Sequence, residues 1–454
     1  MKRTAVSTFW HRFRADRRGN VAMIAALSII GLVGTSGLGI DYFNALASKS
    51  RLDLASDAAA IAAINAAQSY IAANSATQVD PALTAGAIAA GKAQSLKVFK
   101  SNAGSTANIA ATPTITMSRS GQTFNASITY QAASQNAFGP IFGVKQININ
   151  GSSASSLTMG KYLDFYLLLD VSGSMGLPTT TAGQTQLAAI SPDNKDQYPG
   201  GCAFACHFSQ KMCTPAPTYT CKGYSLARSN NIVLRADSVG SAVQSLLTTA
   251  AATETIANQY RVGLYPFISQ MGTLYAISNN LTGAQTAAGT LGSLLDTGQS
   301  TSIYGSGGTH FENAIPAMNT AITTIGDGSG ALKPQPFVFL VTDGADNNQY
   351  YTTSSNSWTG SQPQNMDPTL CTTLKNRGIT VAVLYIPYPP INPVNSGFAG
   401  NEDGKVNAII PSIPTKLQQC ASPGFFYSAY TPQDITNAMQ DMFAQSLAAA
   451  RLTQ

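Results

Sequence analysis

Four short apolar runs constrain this chain more than any other feature. Tyr162–Asp170 (YLDFYLLLD), Val262–Phe267, Phe337–Thr342 and Thr380–Ile386 are nearly continuous in large apolar residues. A strand of that kind is buried on both faces, which is the situation of a strand in a parallel sheet covered on both sides. Parallel neighbours need crossover connections, and helical patterns near Leu226–Thr253, Phe311–Ile325, Pro368–Arg377 and Gln433–Leu452 supply them. The expected fold from about residue 160 to 454 is therefore α/β, a doubly wound sheet of Rossmann-like type. Two stretches break the alternation, a Pro-, Gly- and Cys-rich insertion from about 177 to 224 and an excursion from Tyr388 to about Ser412. Both are too long for simple connections.

The N-terminus reads differently. No charged residue occurs from Gly19 to Ile40, and Val21–Ile40 offers 20 mostly apolar positions, about 30 Å of helix and enough to span a bilayer. Lys2, Arg3, Arg12, Arg14, Arg17 and Arg18 precede it against Asp16 alone. By the positive-inside rule, residues 1–18 form a cytoplasmic tail, residues 19–41 a transmembrane helix, and the remainder is exported. A cleaved signal peptide, cut after Ala45-Leu46-Ala47, is the rival reading. The net charge of +5 resides wholly in residues 1–18, because 20 basic and 20 acidic residues remain beyond them. No nucleic-acid-binding face is implied.

Residues 42–158 are expected to form a small α+β region. An Ala-rich run without Gly or Pro continues the membrane helix outward, Asp80-Pro81 interrupts it, and a second helix follows. From Thr112 to Thr158 apolar and polar residues alternate, as in half-buried strands, with Gly121 at a turn.

Six cysteines suit an oxidising compartment. We expect a bridge between Cys371 and Cys420, with Cys202, Cys206, Cys213 and Cys221 paired inside the insertion. A zinc site using His207 is the alternative there, although the spacings are not those of common zinc modules.

Asp170, Ser172 and Ser174 follow the first apolar run, Thr309 sits on the Gly-rich loop GSGGT, and Asp343 ends the run FVFLVTD. A parallel sheet collects such strand ends at one edge, where the two acids are expected to project into a crevice. Five oxygen donors without His or Cys make a site for a hard cation, Mg2+ with Mn2+ or Ca2+ as substitutes. No nucleophile–base pair accompanies them, and His310 reads as a loop residue, so an enzyme is not expected.

The D-x-S-x-S string, the G-G-T loop and the V-T-D-G strand end occur here in the order of the von Willebrand factor A (VWA) family, which this part of the chain resembles. The resemblance implies a metal-ion-dependent adhesion site (MIDAS). In it Ser172, Ser174 and Thr309 contact the metal through hydroxyls, while Asp170 and Asp343 act mainly through waters. A cation held mostly by neutral oxygens remains able to take a carboxylate from a protein partner.

The segment RRGNVAMIAALSIIGLVGTSGLGIDYFNALASKSRLDLASDAAAIAAINAA and the later PGFFYSAYTPQDITNAMQDMF resemble TadG-like proteins of the Tad/Flp pilus-assembly system. That resemblance implies a single-pass protein of the bacterial inner membrane, its C-terminal domain periplasmic or surface-exposed, with other pilus-assembly components as partners. It does not reach the peptidase site, since cleavage after Gly19 would place Ile24 where related pseudopilins carry Glu. The rival functions are a free-standing envelope adhesin or matrix-binding receptor and a metal-dependent hydrolase.

Overall fold

The computed structural model describes residues 18–78, 81–104, 109, 111–191, 201, 203, 223–296, 303–352, 357–359, 363–390 and 403–452. Cys202, Cys206, His207, Cys213 and Cys221 lie outside them, and so does their expected pairing or zinc site. The chain divides into two compact units, one of residues 1–74 and 80–159, the other of 75–79 and 160–454.

In the first unit one helix, α1 (Arg18–Asn74), runs without interruption through the uncharged stretch and the Ala-rich run. It is long and apolar enough to cross a membrane. Ala55, Ala59, Ala63 and Ala67 are fully buried, and α2 (Ala82–Ala103) answers with Leu83, Ala87, Gly91, Ser95 and Phe99. These four-residue spacings place each set on one helix face. A Cβ at Gly91 would stand 2.7 Å from the Ala63 carbonyl oxygen, so that position requires glycine.

Strands β1 (Thr112–Ser120), β2 (Thr123–Gln135) and β3 (Gln146–Thr158) form an antiparallel sheet in that order. Gly121, at φ +56°, turns β1 into β2 with Ser120 opposite Thr123. Both acids of the Ala-rich run hold this sheet: Asp53 accepts from the Tyr130 hydroxyl at 2.6 Å, and Asp57 from that of Ser153 at 2.6 Å.

The second unit runs β4 (Leu163–Asp170), α3 (Thr181–Ile190), α4 (Gly223–Ser229), α5 (Arg235–Thr253), β5 (Tyr260–Phe267), β6 (Tyr275–Ser278), α6 (Leu281–Ala288), α7 (Phe311–Ala321) and β7 (Gln335–Thr342). Four short strands follow, β8 (Ala345–Asp346), β9 (Tyr350–Thr352), β10 (Ser357–Thr359) and β11 (Gln364–Asn365). The chain closes with α8 (Thr369–Asn376), β12 (Thr380–Tyr385), α9 (Asp403–Ile409), α10 (Ile413–Cys420), β13 (Phe426–Ser428) and α11 (Pro432–Leu452).

Six strands make the main sheet in the order β13-β12-β7-β4-β5-β6, parallel except for β6. The apolar runs thus become neighbouring strands. Alternate residues of β4 enter two separate cores. Leu163, Phe165, Leu167 and Leu169 join Val239, Val243 and Leu246 of α5 and Met439, Met442 and Phe443 of α11. Tyr166 and Leu168 join Phe311, Ile315 and Met318 of α7, Leu374 of α8 and Leu417 of α10. Each fully buried Leu or Phe contributes about 1.5–3 kcal/mol. The one acid inside β4, Asp164, faces Arg261 across the β4–β5 register, with Nε donating to Oδ1 at 2.7 Å.

Cys371 and Cys420 form a disulfide, their Cα atoms 5.2 Å apart, as expected. Two helices differ from the sequence reading. The segment expected as one helix over Leu226–Thr253 is two, because the first ends at Ser229 with Asn231 at φ +56°, and residues 232–234 then pair with the chain after β4. Thr179 N–H donates to the Val233 carbonyl at 3.1 Å and Arg235 N–H to that of Leu177 at 3.0 Å. Helix α7 stops at Ala321 rather than Ile325, where the Arg377 guanidinium takes the Ile322 carbonyl at 2.7 Å and replaces the next helical donors. The excursion and the insertion each contain a helix, α9 and α3, and β6 with α6 was not foreseen.

Candidate functional site

β4 and β7 are adjacent and parallel, so their C-terminal ends, Asp170 and Asp343, meet at one edge of the sheet. Asp170 Oδ1 accepts the Ser172 backbone N–H at 2.9 Å, and Oδ2 accepts the Thr342 hydroxyl at 2.6 Å. The first bond folds the chain back so that the Ser172 and Ser174 hydroxyl oxygens lie 3.3 Å apart.

Thr309 reaches this edge through its backbone. It exchanges two hydrogen bonds with Asn347, at 2.8 and 2.9 Å, which tie it to the segment after β7. The loop before it carries Gly305, Gly307 and Gly308 at φ +72°, +90° and +69°, a left-handed path that favours glycine. Asp296 fixes that loop. Its N–H donates to the Val171 carbonyl at 2.9 Å, while its carboxylate takes the Ser306 hydroxyl and the Gly307 N–H, both at 2.7 Å. Asp170, Ser172, Ser174 and Asp343 thus gather at this edge, and the Thr309 loop is tied to the segments after β4 and β7 through Asp296 and Asn347.

Both acids are more enclosed than the sequence reading expects. Asp170 is 1% exposed and Asp343 0%, so they stand at the sheet edge but do not project into open solvent. Ser306, Gly307 and Thr309 of the one loop and residues 344–347 of the other are themselves buried. Burial, and then the Asp343 charge, push Asp170 up to about 7. Asp343 is also raised by burial, against the opposing pull of Arg235.

Arg235 was not foreseen. Its Nη1 lies 3.3 Å from Asp343 Oδ2, its Nη2 donates to the Pro387 carbonyl at 2.6 Å, and its guanidinium lies over the Tyr388 ring. Arg235 opens α5, where the dipole disfavours a cation and a carboxylate partner is called for, but a single helix over Leu226–Thr253 hides that position.

The second oxygen of Asp343, Oδ1, is buried without a hydrogen-bond partner, and an orphaned carboxylate oxygen is costly unless something positive meets it. The neighbouring donors are hydroxyls and acids. Among the described residues no three His, Cys, Asp or Glu side chains converge, so a cation here would rest on hydroxyl oxygens as well, which suits a hard divalent ion. His310 is fully buried and occupied, with Nδ1 2.7 Å from Glu312 and Nε2 against the carbonyls of Gln349 and Gly307 at 2.9 and 3.1 Å. Burial opposes its charge, but Glu312 and the two carbonyls outweigh that and raise it. It holds the loop.

No family model matches the chain, and no curated protein matches it. Solved structures similar to it include proximal thread matrix protein 1 of the mussel byssus, at 14% identity over 64% of this chain with a TM-score of 0.32. This chain spans 49% of that protein's length. BatB from Bacteroides thetaiotaomicron is 13% identical, covering 63% of this chain and 99% of its own, with a TM-score of 0.33. The vWF domain of the type V pili tip protein Mfa5 from Porphyromonas gingivalis is 12% identical, covering 64% and 96%, with a TM-score of 0.33. At these values the similarity assigns neither partner nor activity.

Proposed function

We propose that this chain is a membrane-anchored envelope protein that binds a protein partner through a divalent cation, most simply Mg2+, held in a VWA-type, Rossmann-like domain. Its place would be Tad/Flp pilus assembly or adherence, with residues 1–18 cytoplasmic, residues 19–41 in the membrane and the remainder exported. The cation would be held by the hydroxyls of Ser172, Ser174 and Thr309 with Asp170 and Asp343, and when bound it would supply an electrophilic position for a carboxylate of the partner. The chain's own residues do the preparing. Asp170 orders the Ser172–Ser174 turn, Asp296 positions the Thr309 loop, and Arg235 balances Asp343 while leaving one of its oxygens open.

The observation that carries this reading is the orphaned Oδ1 of Asp343, fully buried at a strand end beside a hydroxyl pair. The disulfide between Cys371 and Cys420 supports export. Calorimetric titration of the full chain in detergent with Mg2+ and Mn2+ tests the site without a known partner. Heat of binding is expected for wild type and not for Asp170→Asn. Identical titrations would remove the basis for cation-dependent binding. Loss of pilus export in a deletion strain would support the pilus role, and unimpaired export would favour a free-standing adhesin.

A further inference from the structure

The β2–β3 hairpin ends in an apolar turn that its own unit leaves exposed. Residues 138–144 read Phe-Gly-Pro-Ile-Phe-Gly-Val, and no charge occurs from Ala132 until Lys145. Ile141 is 65% exposed, Phe142 48% and Val144 46%. The turn lies along α1 on the membrane side of Asp41. A Cβ at Gly37 would fall on the Phe138 ring and one at Gly34 on the Phe142 ring, so two glycines of the uncharged stretch form a notch that seats the aromatics. Gly34 is seven residues before Asp41, roughly 10 Å deeper along a helix.

We infer that the tip of the β2–β3 hairpin enters the outer leaflet of the bilayer beside α1, with Ile141, Phe142 and Val144 in contact with lipid acyl chains. The proposal rests on the reading of Val21–Ile40 as a membrane span. The occupant follows from continuity: the tip packs against that same apolar stretch of α1, whose residues from Met23 to Leu32 are largely exposed, and lipid that covers one must meet the other.

Non-helical backbone is tolerated at membrane depth only where its polar groups are satisfied within the protein, and N–H groups all along this turn are paired there. Asp41, itself buried, accepts the N–H groups of Ala137, Phe138 and Gly139 at 2.9, 2.9 and 2.7 Å. Ile141 N–H donates to the Phe138 carbonyl, Gly143 to Pro140 and Val144 to Gly139, at 3.0–3.1 Å. Pro140 has no N–H to satisfy. Lys145 follows where the chain returns toward the sheet, in position to reach lipid headgroups.

The test uses the full chain in liposomes, with Trp10 and Trp358 replaced by Phe and one tryptophan introduced at a time: Ile141→Trp, Val144→Trp, Leu27→Trp in the span, or Tyr430→Trp on the second unit. Ile141 and Val144 are exposed, so neither replacement disturbs packing. Phosphatidylcholine brominated on its acyl chains should quench Ile141→Trp, Val144→Trp and Leu27→Trp strongly and Tyr430→Trp little. Quenching at Leu27→Trp with neither tip reporter quenched beyond Tyr430→Trp overturns the proposal, assigns the tip a protein cover and leaves the membrane reading intact. If Leu27→Trp is no more quenched than Tyr430→Trp, the membrane span falls and the inserted tip falls with it.

Discussion

Arg235 and Asp343, 108 residues apart in sequence, form an ion pair that water scarcely reaches, with side chains 4% and 0% exposed. Removing one partner of a buried pair leaves an uncompensated charge and costs about 3–5 kcal/mol. Arg235→Met should therefore lower the unfolding free energy by that order in the presence of a chelator. Mg2+ should restore part of it, because the cation binds only the folded site. Urea denaturation with and without Mg2+ measures both. A variant as stable as wild type in chelator would show that Asp343 does not depend on Arg235.

Protons compete for the same oxygens. With Asp170 pushed up to about 7 and Asp343 raised as well, cation binding must displace protons below neutrality. Apparent Mg2+ affinity is expected to rise between pH 6 and pH 8, approaching about tenfold per pH unit for each proton displaced at the acid end. Titrations in buffers of different ionisation enthalpy count the protons released, and an affinity constant across this range would contradict the shift.

Asp296 contributes no proposed ligand, yet it ties the Thr309 loop to Val171. Asp296→Asn keeps the volume but turns an amide N–H2 toward the Ser306 hydroxyl or the Gly307 N–H, and the latter cannot accept. Weaker Mg2+ binding is expected, with a stability loss of about 1–2 kcal/mol. Unchanged affinity would mean that the loop holds its path without this carboxylate.

The Cys371–Cys420 bridge spans 49 residues and joins α8 to α10. In the chain-entropy model, closing a loop of that length stabilises by about 4 kcal/mol. The double replacement Cys371→Ala/Cys420→Ala should lower stability by at least this order, as read from denaturation under non-reducing conditions, since the emptied pair of buried sulfurs also loses packing.

The parallel sheet was legible because its strands are buried on both sides and therefore written in unbroken apolar runs; Phe165, packed against Phe337, Phe339 and Phe443, has to be apolar wherever the helices lie. The ends of those runs revealed Asp170 and Asp343 for the same reason. Arg235 and Asp296 were not legible, since each acts through a long-range backbone or charge contact and neither sits at a position that strand periodicity marks. The break before α5 did carry a signal, since Asn230 and Asn231 follow the last helical residue Ser229 and Asn231 takes φ +56°, a left-handed helix end that Asn tolerates.

The stretch of α1 that is uncharged and the stretch on which β2 and β3 pack belong to one helix of 57 residues without a proline, roughly 85 Å of hydrogen-bonded rod. No break in the helix interrupts it from Arg18 to Asn74. A sideways load on the three-stranded sheet would be delivered as torque to the N-terminal end of the same rod, so this part of the chain is built as a lever and not as a tether.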